Sequence, residues 1–278
     1  MTHQPMIRLS NGVEIPQVGF GTFQVDGAET QKVVEHALEA GYRHIDTAAA
    51  YQNEAGVGAA LKASGLRRDE VFITTKLRNG DQGYENALRA FEDSRAALGV
   101  DQVDLYLIHW PVPSTWLAPE TWRAFEKLYA DGLVRAIGVS NFLPEHLTRL
   151  LGGVEVVPMV NQFEVHPTHQ QAEAQQASRQ HGLAVEAYGP FGKGEDLTDP
   201  VVVRIAEAHG VSPAQVVLRW HVQQGRIMIP KSATPARIAS NIDLFGFELS
   251  EAEMAEVTGL ERGNRLYPDP RTAAFSQK

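Results

Sequence analysis

Asp46 and Tyr51 stand five residues apart in GYRHIDTAAAYQNEAG (41–56), just past a short apolar-leaning run. Lys76 follows FITT and His109 follows DLYLI, each again at the end of an apolar run. Together these four side chains suit proton transfer. A free phenol has a pKa near ~10, too high for efficient proton exchange at neutral pH. An ammonium beside it, such as that of Lys76, favours the phenolate and lowers that value. Asp46 paired with Lys76 would keep the ammonium charged and in place. His109 can hydrogen-bond a carbonyl oxygen and orient it. The set is equipped to protonate a developing alkoxide. The hydride that creates an alkoxide must come from a cofactor, because no side chain supplies it.

Each residue taken alone has a plainer reading. Asp46 would be a helix-capping or loop carboxylate, Lys76 a solvated lysine, and His109 a satisfied buried histidine. Ser140-Asn141 would cap the helix that begins near Pro144. Their joint placement at the ends of apolar runs favours a site. Other chemistries find little support. The chain has no cysteine, which excludes disulfides, thiolate nucleophiles and cysteine-built zinc sites. It has no His-x-His pair after its first strand-like run, so no metal is expected. No serine sits in a nucleophile elbow. With 34 acidic and 25 basic residues the net charge is −9, which offers no broad attraction to nucleic acid or an anionic membrane. A local basic pocket for a small anion stays open. The start, MTHQPMIRLS, lacks a basic-then-apolar signal pattern. No apolar run approaches the roughly 18 residues of a membrane span. A soluble cytoplasmic protein is expected.

The elements that must position these groups follow a rhythm. MIRLSNGVEI (6–15) reads as an N-terminal β-hairpin turning at Asn11-Gly12. Strand-like runs then lie at 17–23, 44–48, 71–77, 103–110, 134–141, 157–165, 183–190 and 227–232. Helical patterns follow them at 30–41, 54–65, 85–99, 120–132, 144–153, 169–182 and 235–245, with two helical patterns before the last strand. Glycines at 41, 65, 99, 132, 182, 210 and 225 close helices. Eight strand–helix units imply parallel strands, right-handed crossovers and a closed (β/α)8 barrel with the hairpin and two extra helices. A doubly wound open sheet competes, but GFGTF is not its glycine fingerprint. No linker or composition break appears, so residues 1–278 are expected to form one domain. In such a barrel, Asp46, Lys76, His109, Ser140, Asn141, Gln162, Tyr188, Lys231 and Ser232 would all face the rim at the strand C-termini.

GYRHIDTAAAYQNEAGVG, ITTKL, LIHWP, GVSNF, VNQFEVHP and IPKSATPARIASN occur in that order. With these motifs the chain resembles the aldo-keto reductase superfamily over nearly its whole length. It is most similar in style to the bacterial 2,5-diketo-D-gluconate reductase-like members. The resemblance implies the (β/α)8 fold, with Tyr51 as general acid and Asp46, Lys76 and His109 completing a tetrad. It implies NADPH as cofactor and a small carbonyl compound as substrate. Ser140, Asn141 and Gln162 would bond the nicotinamide carboxamide, and Tyr188 would stack on its ring. Thr22 and Asp46 would border the cofactor. Gly189, Pro190, Phe191 and Gly192 would lie along the pyrophosphate. Lys231, Ser232 and Arg237 would contact the 2′-phosphate by charge-assisted bonds, and Asn241 would reach the adenine. Many members carry Glu where this chain has Ser240, which bears on the adenine contact. Phe23 and Trp110 match aromatics of the substrate pocket, beside Tyr51 and His109, with core packing as the alternative. The tail RLYPDPRTAAFSQK would either fold over the mouth or be disordered. The resemblance implies a monomer. A nucleotide-binding redox sensor with little turnover is the competing function, and all four tetrad positions being occupied argues against it.

Overall fold

The computed structural model describes residues 4–277. Residues 1–3 and 278, which the one-domain reading includes, lie outside the described residues. The hairpin pairs β1 (Met6–Arg8) with β2 (Glu14–Pro16), in antiparallel register Ile7↔Ile15. At its tip only Gly12 takes positive φ, at 88°; Leu9 N–H donates to Val13 O at 2.8 Å and Gly12 N–H to Leu9 O at 2.9 Å. The turn is therefore one residue wider than a two-residue Asn-Gly turn.

The barrel strands are β3 (Phe20–Gly21), β4 (His44–Asp46), β5 (Phe72–Leu77), β6 (Val103–Ile108), β7 (Val134–Ser140), β8 (Val160–Glu164), β9 (Ala184–Tyr188) and β10 (Ile227–Met228). They pair in parallel, each with its sequence neighbour. The ring closes between its two shortest strands. Gly19 N–H donates to Met228 O at 2.8 Å, Met228 N–H to Gln17 O at 3.0 Å, and Gly21 N–H to Pro230 O at 3.1 Å. Most strands are shorter than the apolar runs that signalled them. The 17–23 run contributes two ladder residues, because the chain must leave the seam at Thr22 to reach the first helix.

The outer layer holds α1 (Gly27–Glu39), α2 (Glu54–Ala63), α3 (Tyr84–Leu98), α4 (Ala118–Ala130), α5 (Pro144–Leu151) and α6 (Ala172–Gln180). Then come α7 (Pro200–His209), α8 (Pro213–Gln223), α9 (Pro235–Ile242) and α10 (Glu251–Thr258). Ten helices among the described residues are two more than eight units need. All seven helix-closing glycines take positive φ, which a side chain would resist. The extra helices come from α7–α8 and from α10, which the strand–helix count passes over. Its signal was a capping box, Ser250 with Glu253. These helices pack on one another through Val202, Ile205, Val216, Trp220, Leu249 and Val257, a second small core beside the barrel.

The hairpin lies at the N-terminal end of the barrel, with Ile15 buried and Pro16 beside His44 at the start of β4. The opposite end, where Asp46, Ser140, Glu164 and Tyr188 finish their strands, stays free for loops. Inside the wall the packing leaves little slack. A Cβ on Gly138 of β7 would lie 2.6 Å from Val160 O and 2.7 Å from Leu107 Cδ2. Gly138→Ala should therefore destabilise the fold by about 1–3 kcal/mol through overpacking. A urea midpoint equal to that of the parent would refute this close approach.

Candidate active site

Asp46 is the last residue of β4, and its side chain is 2% exposed. Lys76 lies in β5, which is in register one strand over, and is wholly buried. Lys76 Nζ donates to Asp46 Oδ1 at 2.5 Å, to Thr47 O at 2.9 Å and to the Tyr51 hydroxyl at 3.5 Å. Gln162 of β8 reaches across the barrel, and its Nε2 donates to Asp46 Oδ2 at 2.8 Å. Both carboxylate oxygens are thus held from opposite walls.

Tyr51 does not sit on a strand. It ends the 3₁₀ turn Ala49–Tyr51, after which Gln52 takes φ 56°. Asn53 fastens this turn. Its Nδ2 donates to Thr22 O at 3.0 Å and to Val25 O at 3.3 Å, and its Oδ1 accepts from Thr47 Oγ1 at 2.9 Å. Thr22 in turn donates to Asp46 O through its backbone N–H at 2.9 Å and its hydroxyl at 3.1 Å. The Tyr51 ring lies 5.1 Å from that of Phe23, an exposed aromatic, and 5.7 Å edge-on from that of His109.

The electrostatics reverse one expectation. The Tyr51 hydroxyl is pushed well above its ordinary value, first by burial and then by the charges of Asp46, Tyr267 and Glu186. Lys76 does not lower it, because its ammonium is 2.5 Å from Asp46 and a full ångström further from the phenol. Burial and the charge of Asp46 outweigh the ammonium, so the phenol stays protonated. His109 is held well below its ordinary value by burial and by Lys76. It is a neutral imidazole, with one ring nitrogen to donate and one to accept. Burial raises the Asp46 carboxyl, and Lys76 and Gln162 oppose that rise.

The remaining predicted residues gather around this centre. Asn141 adopts φ 64° at the end of β7. Its Nδ2 donates to His109 O at 3.0 Å and to Ser140 Oγ at 3.1 Å, and its Oδ1 accepts from the Tyr188 hydroxyl at 2.7 Å. Tyr188 is half-buried, with Tyr267 edge-on at 5.0 Å. Gly189 and Gly192 take φ 59° and 55°, and a Cβ on either would lie within 3 Å of Tyr267 or Asp196. Pro190 and Phe191 lie between them, the first buried and the second half-buried. Lys231 and Arg237 lie further round, exposed and without a side-chain partner among the described residues. Ser232 and Asn241 are buried beside them, and the Ser232 hydroxyl accepts from Thr234 N–H at 3.1 Å. Ser240 donates only to Arg237 O.

The tail folds over the mouth. Gly80 N–H donates to Ser276 O at 2.8 Å, and Asn79 Nδ2 donates to Phe275 O at 2.9 Å. The Gln277 Nε2 lies 3.2 Å from His109 Nδ1. Phe275 stands edge-on to Trp110 at 5.2 Å. Trp110 is therefore a buried ring covered by the tail, and Phe23 is an exposed one.

Several participants escaped the sequence reading. His166, in VNQFEVHP, bridges Asp196 at 2.8 Å and Glu164 at 3.1 Å. Against burial, these carboxylates raise it to about 9. Glu164 also accepts from Leu266 N–H at 2.7 Å, so the latch joins β8, the 189–198 loop and the C-terminal segment. Glu186, in VEAYGP, is a wholly buried acid on β9. For Glu186 a charged residue within an apolar strand was the available signal, and for His166 the acid Glu164 at the end of β8. No group of three or more His, Asp or Glu is placed to hold a metal among the described residues. No helix among them is long and apolar enough to cross a membrane.

Residues 17–262 match the aldo/keto reductase family. The chain belongs to that family. It is 52% identical over 272 residues to an aldo-keto reductase of Mycolicibacterium smegmatis, covering 98% of this chain and 99% of that one. It is 48% identical to a glyoxal reductase of Bacillus subtilis, covering 97% of each. A crystal structure of a Gox0644 mutant in complex with NADPH superposes with a TM-score of 0.95 at 44% identity, over 98% of this chain and all of that one. As a family member the protein is an oxidoreductase.

The buried pair generates a stability test. Lys76→Met should cost about 3–5 kcal/mol, because it strands the Asp46 carboxylate in the wall. Asp46→Asn combined with Lys76→Met should recover most of that loss. Denaturant midpoints for the two variants that fall equally would contradict the pairing.

Proposed function

We propose that the protein is an NADPH-dependent reductase of small carbonyl compounds: aldehydes, ketones or keto-sugars, with 2,5-diketo-D-gluconate among the candidates. What supports the reading most is one connected array. Gln162 and Lys76 fix Asp46, Lys76 reaches the protonated phenol of Tyr51, and neutral His109 stands against the Tyr51 ring. The NADPH seen with the Gox0644 relative supports the choice of cofactor, and the glyoxal reductase supports a small carbonyl substrate.

The residues fit the cofactor. Lys231 and Arg237 are two unpaired cations at the rim beside the Ser232 hydroxyl, suited to the 2′-phosphate. Gly189 and Gly192 let Pro190 and Phe191 follow the pyrophosphate in a backbone conformation that side chains resist. Tyr188, clamped by Asn141 and Tyr267, offers a ring face to the nicotinamide. Ser140, Asn141 and Gln162 would border its carboxamide, Thr22 and Asp46 would border the cofactor beside them, and Asn241 would reach the adenine. When bound, NADPH supplies a hydride to the carbonyl carbon.

The chain's own groups do the rest. His109 donates a ring N–H to the carbonyl oxygen and orients it, displacing the Gln277 amide as substrate enters. Tyr51 gives its proton to the oxygen as negative charge develops there. Lys76, positive and held by Asp46, stabilises the phenolate left behind. Phe23 and Trp110 exclude water from the two sides. We take the protein to work as a monomer, one barrel domain over residues 1–278, in the cytoplasm.

Fluorescence titration with NADPH, followed by methylglyoxal, phenylglyoxal, a nitrobenzaldehyde and 2,5-diketo-D-gluconate, tests the whole reading. Binding with oxidation of NADPH on any of them is expected, and no binding would sink it. Tyr51→Phe should bind NADPH as before and lose about 100-fold or more in turnover, the share of a general acid; retained turnover would remove Tyr51 from that role. Arg237→Ala should weaken NADPH while sparing NADH, which lacks the 2′-phosphate. Equal losses for both would place Arg237 elsewhere.

A further inference from the structure

Asn53 stands where a helix cap is expected and its side chain does not cap. It occupies the N-cap position of α2, where an asparagine side chain ordinarily accepts from the first free amides of the helix. Here the side chain makes no such bond. The amides of Gly56 and Val57 turn instead to the backbone oxygen of Asn53, at 3.0 and 3.2 Å. The start of α2 is pinned separately, by the Thr75 hydroxyl donating to Glu54 Oε1 at 2.6 Å. The buried Asn53 amide is spent on the loops that follow β3 and β4. Its Nδ2 donates to Thr22 O at 3.0 Å and Val25 O at 3.3 Å, and its Oδ1 accepts from Thr47 Oγ1 at 2.9 Å. Backbone oxygens can only accept, so the amide has one orientation here, with the hydroxyl of Thr47 as donor.

Both loops need a tie. The first carries Gln24 at φ 58° and the second Gln52 at φ 56°, left-handed conformations that a residue with a side chain keeps only where its surroundings impose them. The hydroxyl of Tyr51 has one hydrogen bond among the described residues, the 3.5 Å one from Lys76. Its ring meets those of Phe23 and His109 without stacking on either.

We propose that Asn53 is a positioning residue for the proton transfer, bolting the loop after β3 to the turn after β4 and so holding the phenol of Tyr51 against Lys76. This rests on the reductase reading, in which Tyr51 gives the proton. Thr22 and Val25 stand on either side of Phe23, and Thr47 and Asn53 on either side of Tyr51. The bolt therefore makes one piece of the two rings, which lie 5.1 Å apart. A substrate seated on Phe23 meets the donor at a set distance. Proton transfer is steep in that distance, since a misplacement of about 1 Å can cost roughly 100-fold.

Asn53→Ala removes the bolt. Thr47→Val removes one of its bonds while keeping the side-chain shape and the backbone oxygen that accepts from Lys76. Each is made alone and combined with Tyr51→Phe, and the single-turnover rate of NADPH oxidation by phenylglyoxal is recorded at saturating cofactor. Asn53→Ala should lower the rate about 10- to 100-fold where Tyr51 is present and less than about twofold where it is absent, because a residue acting through the phenol then has nothing to act on. Thr47→Val should show the same pattern at smaller size, and it decides the matter if Asn53→Ala does not fold. Equal losses in the two backgrounds would mark a purely structural role and overturn the proposal. Labelling with 3-fluorotyrosine gives a readout independent of turnover. The fluorine resonance missing from Tyr51→Phe belongs to Tyr51, and it should shift or broaden in both single variants. An unchanged resonance would overturn the role. If the parent reduces no carbonyl, the reductase reading fails, and the fluorine spectra still decide whether Asn53 holds Tyr51.

Discussion

A lysine and an aspartate, both out of water, meet at 2.5 Å in the wall of the barrel. Ions of that size resist leaving water by on the order of several kcal/mol each even after relaxation. The fold keeps them only because the remaining donors and acceptors are met. Gln162 satisfies the second oxygen of Asp46, and Thr47 O takes another proton of Lys76. Neighbouring strands β4 and β5 bring the pair together, and β8 closes it from the far wall. A slip of one residue in either strand would turn one charge outward and leave the other buried alone. Register, stability and proton chemistry are therefore fixed by the same contact.

Tyr51 depends on that contact without being held by it. The phenol comes from a short turn beyond β4, shaped by Gln52 in a left-handed conformation and by the three hydrogen bonds of Asn53. Its protonation follows from burial and surrounding carboxylates more than from the nearby ammonium.

Loops far apart in sequence complete the mouth. His166, positive between Asp196 and Glu164, ties the glycine-bearing loop after β9 to the barrel. Glu164 passes the tie to the backbone at Leu266, next to Tyr267, which in turn packs on Tyr188. The tail carries Phe275 to Trp110 and Gln277 to His109. The ring that would face the nicotinamide and the histidine that would face the substrate are thus both braced by the C-terminal segment.

The sequence by itself determined the order of elements and the family. Helix-closing glycines, alternating strand and helix periods, and the motifs around Asp46, Lys76, His109 and Gln162 are local signals, and local physics reads them directly. The strand ends were less legible, because a ladder stops where tertiary pairing stops; β3 keeps two residues of a seven-residue run. What only the tertiary structure decided were properties of groups brought together from separate strands. The sign of the Tyr51 shift depends on how deeply the phenol is buried and on the Asp46 charge brought beside it. The neutrality of His44 beside Glu186 depends on how deeply the imidazole is buried. The partner of Gln277 depends on where the tail lands. None of these can be read along the chain, because electrostatic interaction falls with distance in space, and separation along the sequence does not set that distance.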